Sequence, residues 1–498
     1  MPMTQMLLMT AAVVTGGDGG GLVGFRESLI VTPTSPGVGG QFGTAVDVHA
    51  AMAIVGATDQ DPDVWGVAGP GFASVLYLDE SDGSLLDQVD LQASDGEEGD
   101  VFGYRVAIGT IAADPDESGV AYVSAIRRGG EGGISNAGGV YVFREGVEGI
   151  AEAGLILPSE TPTARLFGGS LDFDGTTLVV GGPFDSTEVD GPTPILNHGS
   201  VWVFEIGADG MPTSEHRLTS DVPALGQYFG WSVCVDGDRL AVGAIQDGAS
   251  GVQSGAVYVF NRQLDASWVL DEVLTLSELG DSEWFGTSVS LQGDTLIASS
   301  IYATDPAGAD GEPVPYAGVA VVFEHTAGAF NETQRIYPPA IDTVNPGWGV
   351  DLDFNGTLLA IGANQWNDGD LIQTGAVGIF ERDAGGQFSR VRTELTRTPT
   401  QGGSFGVSVA VSDSNQVISG MPDVLESHGG MVSILSPTCS GDDDGDGTVG
   451  VHDLLALLEL WGDTRIQAVD IEQDFEVNYV DLLLLIDQFA TCELTPPV

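Results

Sequence analysis

The stretch that decides the fold runs from Phe229 to Leu274. It opens with Phe229-Gly230-Trp231-Ser232-Val233-Cys234-Val235, passes through Asp236-Gly237, and continues as Asp238-Arg239-Leu240-Ala241-Val242-Gly243-Ala244. After a variable segment come Gly255-Ala256-Val257-Tyr258-Val259-Phe260 and then Trp268-Val269-Leu270-Asp271-Glu272-Val273-Leu274. These are four short apolar or alternating runs bounded by turn residues, which is the pattern of four β-strands. The Asp-Gly pair between the first two runs predicts a two-residue hairpin loop whose central positions both accept φ > 0.

The same grammar recurs along the chain. An aromatic-Gly pair stands at Phe42, Phe102, Phe167, Phe229, Phe285, Trp348 and Phe405, every 56–65 residues. Counterparts of the Asp-Gly turn occur at Asp174-Gly175, Gln292-Gly293 and Asn355-Gly356. Four antiparallel strands repeated seven times predict an all-β fold, a seven-bladed β-propeller in which each sheet covers its neighbour. The glycine after the aromatic is expected to let backbones crowd near the axis, and the aromatic to wedge between sheets. The seventh repeat supplies only three strands, around 405–411, 416–420 and 430–435, and then ends at Pro437. The missing outer strand is found at 24–31, so the N-terminal strand is expected to pair into the seventh blade and close the ring.

The repeat resembles the FG-GAP repeat of integrin α-subunit heads and of many bacterial exported proteins. The matching pieces are Phe229 to Val233, Leu240 to Ala244 and Gly255 to Phe260, and the likeness spans residues 24–437. It implies the propeller fold and says little about function. Family members that bind calcium in the propeller carry an acidic hairpin between the Phe-Gly and Gly-Ala strands. Here that hairpin has shrunk to a short turn in most repeats, so propeller calcium does not carry over. Asp59, Asp61 and Asp63 alternate like metal ligands but fall after the Gly-Ala strand, which weighs against a site there.

Beyond Pro437 the pattern changes. Asp442, Asp444, Asp446, the Thr448 carbonyl and Asp453 fit positions 1, 3, 5, 7 and 12 of a calcium loop, with Gly447 at the sharp turn. An oxygen-only set suits Ca²⁺ rather than zinc or iron. An apolar helix follows at 454–461. A second copy lies 28 residues later with Asp470, Glu472, Asp474 and Asp481, but Phe475 replaces the turn glycine. This copy either binds calcium or is a metal-poor structural duplicate. The paired loops and helices resemble a type I dockerin over 438–494, and Trp461-Gly462 and Cys492 are similar to the bacterial variant that ends in Gly-x-Cys, although the Gly before Cys492 is missing. That resemblance implies a small all-α calcium-binding domain that docks onto a cohesin-like or surface-anchoring partner. Two leucine-rich helices in so small a unit cannot bury each other fully, so an apolar face meets either a partner or the propeller.

Cys439 and Cys492 bracket this module and are expected to form a disulfide if the chain is exported. Cys234, in an apolar strand pattern, reads as an inert core thiol. Residues 1–20 contain the apolar run Met6 to Val14, which reads as an export segment without a basic residue ahead of it. The chain is therefore expected to be secreted or cell-surface, with the propeller over 22–437 and the dockerin-like domain over 438–498.

The 498 residues include 72 Asp or Glu, 15 Arg and no Lys, for a formal charge of −57. Such a chain repels nucleic-acid phosphates and anionic membranes. Its acidity otherwise serves solubility in a saline setting. No apolar run reaches the roughly 18 residues of a membrane span. His49, His198, His216, His325, His428 and His452 never pair at ligand spacing, and no nucleophile elbow, zinc-protease motif or phosphate loop occurs. The chain is expected to be non-catalytic, a recognition or adhesion protein. The alternative is a propeller enzyme acting on extracellular polysaccharide with the tail as a targeting tag.

Strand alternation places the long variable loops (58–70, 127–137, 183–198, 246–254, 302–317, 364–374 and 421–429) on one face, where binding residues concentrate. Trp65, Tyr302, Tyr316 and Trp366 are the candidate contacts there for a protein or glycan. Each could equally pin its own loop.

Overall fold

The computed structural model describes residues 23–488, apart from short loop stretches, of which 187–194 is the longest, and from 440–448, 460 and 462–476. Each repeat forms one four-stranded antiparallel sheet, and there are seven. In the fourth, strands Phe229–Asp236, Arg239–Ala244, Ala256–Arg262 and Trp268–Leu274 follow one another from the axis outward. The turn between the first two is shifted by one residue from the expected Asp236-Gly237 loop. Asp236 pairs with Arg239, so the loop residues are Gly237 and Asp238, and only Gly237 has positive φ (+59°). A glycine at the first central position marks the type II′ turn rather than type I′.

The ring closes as the repeat count required. Strand Val23–Val31 pairs antiparallel with Met431–Cys439, completing the seventh sheet from the opposite end of the chain. Phe25 is buried against blade six and Val31 against blade one, and Glu27 is also buried, accepting from Thr396 at 3.0 Å and from Ser433. The last strand runs two residues beyond Pro437, which puts Cys439 opposite Val23 in the blade. Cys492 lies outside the described residues, so the disulfide does too.

The core consists of seven separate hydrophobic clusters, each shared by two consecutive blades. One joins Val179, Val201 and Val203 of blade three to Phe229, Val242 and Tyr258 of blade four. Another joins Ile434 and Val432 of blade seven to Phe42 and Val55 of blade one. A single sheet cannot bury its apolar faces alone, so stability accrues only when neighbours stack. All seven repeat aromatics are fully buried.

Glycine is required where blades meet backbone to backbone. A Cβ on Gly362 in blade six would stand on the carbonyl oxygen of Gly406 in blade seven, and Gly420 meets Gly43 of blade one in the same way. The glycine that precedes each third strand likewise abuts the next repeat's aromatic: Gly255 bridges Phe285, and Gly430 bridges Phe42 across the closure.

Beyond the propeller, helix α1 (Val451–Glu459) and helix α2 (Tyr479–Gln488) pack on one another. Their small core pairs residues that are 28 apart: Val449 with Val477, and Leu457 with Leu485. Asp453 and Asp481 occupy matching places. Each is buried and accepts the backbone N–H of the residue capping its own helix, Gly450 at 2.6 Å and Asn478 at 2.8 Å. The other expected ligands, Asp442, Asp444, Asp446, Thr448, Asp470, Glu472 and Asp474, lie outside the described residues. Among the described residues no group of three or more potential metal-binding side chains stands together. No helix is long and apolar enough to cross a membrane, among the described residues.

Candidate functional site

Two places concentrate chemistry: the axis and one rim. Along the axis, the fifth residue after the repeat aromatic does one job with different atoms in five of the seven repeats. Its side chain accepts the N–H of the following blade's inner strand. Asp47 accepts from Ile108 at 2.7 Å, Asp172 from Val235 at 2.6 Å and Asp353 from Val411 at 2.8 Å. Cys234 takes the Leu291 N–H at 3.2 Å, and Ser290 takes the Phe354 N–H at 3.1 Å. Cys234 is therefore half-buried and bonded to a neighbouring blade, a joint between blades rather than an inert core thiol. Where alanine stands at this position, at Ala107 and Ala410, the next blade carries an aspartate, Asp172 or Asp47. That aspartate turns its second oxygen back to its own strand, to Phe173 at 2.9 Å and Val48 at 2.8 Å.

Burial pushes the Asp47 carboxyl up to about 8, and repulsion from Asp172 and Asp353 adds to it against the Ile108 hydrogen bond. Burial also raises Asp172 to about 7, Asp351 to about 6, and Asp353. Perturbed carboxyls are a common sign of catalysis. Here cysteine and serine fill the same position with the same partner, so the position holds blades together.

The rim is different. On the face carrying the variable loops, rings from blades three, four and five form one unbroken chain. Phe184 meets Tyr228 at 5.2 Å between centroids, Tyr228 meets Trp231 at 6.3 Å, and Trp231 meets Trp284 at 6.3 Å. Trp284 then meets Tyr302 at 4.9 Å, and Tyr302 meets Tyr316 at 6.2 Å. Successive rings stand edge to face, the arrangement that aromatic quadrupoles favour. None is fully buried, and Tyr316 is 55% exposed.

Local backbone explains how the strip is held. The loop of blade five is itself a small hairpin, with Asp305 and Val314 exchanging N–H···O bonds at 2.9 and 2.8 Å. That stem brings Tyr302 and Tyr316 together. Tyr228 donates its N–H to Asn197 O at 3.1 Å, tying the strip to the loop of blade three, and Tyr302 donates to Glu283 O at 3.3 Å.

Three of the rings sit on left-handed backbone: Tyr228 at φ +55°, Trp284 at +61° and Tyr316 at +58°. The repeat itself imposes these conformations. The residue before each aromatic-Gly is left-handed elsewhere too, as Gln41, Val101, Leu166, Gly347 and Ser404, and the position of Tyr316 is filled by Asn136, Asn197, Gln253 and Gln373. Bulky side chains are disfavoured there by about 1–2 kcal/mol, whereas asparagine and glycine are tolerated. Placing Tyr, Trp and Tyr at such positions, with no core burial in return, is the local rule-breaking that functional surfaces show.

Of the four aromatics expected from sequence, Tyr302 and Tyr316 belong to this strip. Trp366 does not: it is 2% exposed and packs with Trp348, Phe354 and Phe380 in the seam of blades five and six. Trp65 lies outside the described residues. Sequence reasoning missed Phe184, Tyr228, Trp231 and Trp284, although the residues before and after Phe229-Gly230 and before Phe285-Gly286 were already aligned by the repeat.

Residues 212–260 match the FG-GAP repeat family, a span from the outer strand of blade three to the third strand of blade four. A protein of known structure from Lactobacillus plantarum is similar at 13% identity and a TM-score of 0.44, covering 74% of this chain and 86% of that one. No curated protein sequence matches.

Proposed function

We propose that this chain is an exported, non-catalytic recognition protein whose aromatic rim on blades three to five contacts a protein or glycan, and whose C-terminal module attaches it to a partner. The observation that carries the reading is the continuous set of six incompletely buried rings in edge-to-face contact across blades three to five, three of them on left-handed backbone. A rigid scaffold presenting such rings pre-organises a contact surface, so little ordering cost remains at binding.

The tail reading rests on its internal duplication and on its exposed surface. Val451, Leu455 and Leu458 are exposed at helical spacing along α1, and the exposed Trp461 follows just past its end, away from the small core around Leu457. Such an apolar stripe suits docking onto a cohesin-like or surface-anchoring protein. Calcium in the first loop would be held by Asp442, Asp444, Asp446, the Thr448 carbonyl and Asp453. The buried Asp453 carboxylate at the helix start fits the last position of such a loop, and the ion's role there would be to fold the loop onto α1.

The test has two arms. Turnover assays on a polysaccharide panel should show no product release, whereas release that is lost on mutating rim carboxylates would favour the enzyme alternative. Chelation should lower helical circular dichroism of the full chain and restore on adding Ca²⁺. An unchanged signal would remove the calcium-binding tail from the proposal.

A further inference from the structure

The shape and charge of the rim say more about its ligand. We infer that the aromatic strip binds an uncharged carbohydrate chain, an inference that rests on the recognition reading above and narrows it. The rings extend across three blades in five successive steps of 4.9–6.3 Å, from a triad in which Phe184 also meets Trp231 at 6.5 Å to Tyr316. An elongated strip of rings suits an extended, repeating ligand. Protein interfaces instead gather their anchors in a central cluster surrounded by a rim.

Sugar rings offer an apolar C–H face that packs on aromatic carbon, and an edge of hydroxyl donors. Acceptors for such donors stand in the loops that carry the strip: Asp221 and Glu312 are exposed, and Glu283 precedes Trp284. The same loops, 183–198, 219–228, 245–254, 275–284 and 301–317, contain no Lys or Arg. A uronate or sulfated chain would meet carboxylates with no countercharge, so anionic glycans are repelled. The exposed aliphatics Leu196, Val222 and Leu225 belong to the loops at the blade-three end. They are what a protein partner would use instead.

The test uses the full chain in affinity electrophoresis and calorimetry. Neutral β-glucan, mannan, xylan and chitin oligosaccharides are compared with polygalacturonate and a sulfated galactan. Variants borrow residues that other blades already carry at the same backbone conformation: Trp284→Ser, as at Ser404, and Tyr316→Asn, as at Asn136. At least one neutral glycan should bind, and each variant should weaken it about tenfold or more with no loss of melting temperature. Leu225→Ser should leave binding unchanged. Binding only to the anionic polymers, to no glycan, or equally sensitive to Leu225→Ser overturns the inference. If a protein ligand is instead found and lost in Trp284→Ser, the carbohydrate inference falls while the recognition reading stands. Any ligand that binds both ring variants undiminished removes both.

Discussion

Tyr302 in blade five and Trp366 in blade six lie in equivalent loops, one residue apart in repeat register. Counting from the residue at the Gly-Ala glycine position (Ser299 or Gly362), Tyr302 is three on and Trp366 is four on. The fourth position points inward in blades three to six, where Asp185, Asp247, Ala303 and Trp366 are all buried, whereas Arg128 of blade two is half-buried. The third points out, and Phe184, Gln246, Tyr302 and Gln365 are all half-buried at the rim. A one-residue step thus separates a seam ring from a surface ring, because the chain leaves the second strand with its pleat still imposed. Loop membership alone does not make an aromatic a contact residue; its parity against the preceding strand does.

This contrast between seam and rim can be broken most severely at the closure. Removing residues 23–31 strips the outer strand from blade seven and takes Phe25 out of the cluster it shares with Val417 and Leu435. The cooperative thermal transition should be lost or lowered by more than about 10 °C, because an open ring leaves blade seven uncovered on one side. Retention of a sharp native-like transition would mean that the strand is an ornament.

Next in size is the seam ring itself. Trp366→Ala should cost about 3–5 kcal/mol in denaturant unfolding while leaving rim binding intact. Tyr302→Ala should do the reverse. Gly362→Ala probes the seam from the backbone side. With the Gly406 carbonyl in the way, it should cost about 2–3 kcal/mol although it adds one methyl group.

The axial carboxyls give a smaller, pH-dependent effect. Their raised values mean that the folded chain keeps protons which the unfolded chain, titrating near pH 4, has already released. Stability from this source is present at about pH 4 and is lost as pH rises through about 6 to 8. Melting temperature should therefore fall between pH 5 and pH 9. Asp47→Ser, which installs the residue that Ser290 supplies at the same place, should flatten that slope. An identical slope in the variant would assign the pH dependence to the overall charge of −57 instead.

The smallest effect sharpens the rim side. Tyr316→Asn should leave stability unchanged or raise it by up to about 1 kcal/mol, since asparagine tolerates left-handed backbone better than tyrosine. A clear loss of stability would show that the ring pins its loop, which is the structural alternative to a contact role.

Much of this molecule could be read from its residues alone. Phe229-Gly230, Gly243-Ala244 and Gly255-Ala256, with their counterparts in the other repeats, determine that sheets stack through close backbone contacts. The shortfall of one strand after Val411, Met421 and Leu435 determines that Val23–Val31 must return to finish the ring. These features are legible because each depends on spacing along the chain, and the repeat fixes spacing. The rim was only partly legible. Phe184, Tyr228, Trp231 and Trp284 lie in three repeats, and nothing in their sequence neighbourhoods says that the rings touch. Only the angular placement of consecutive blades sets them side by side, while the pleat of one strand sends Trp366 inward. Contact between side chains of successive repeats is a property of the packed blades, and so it was decided by tertiary structure.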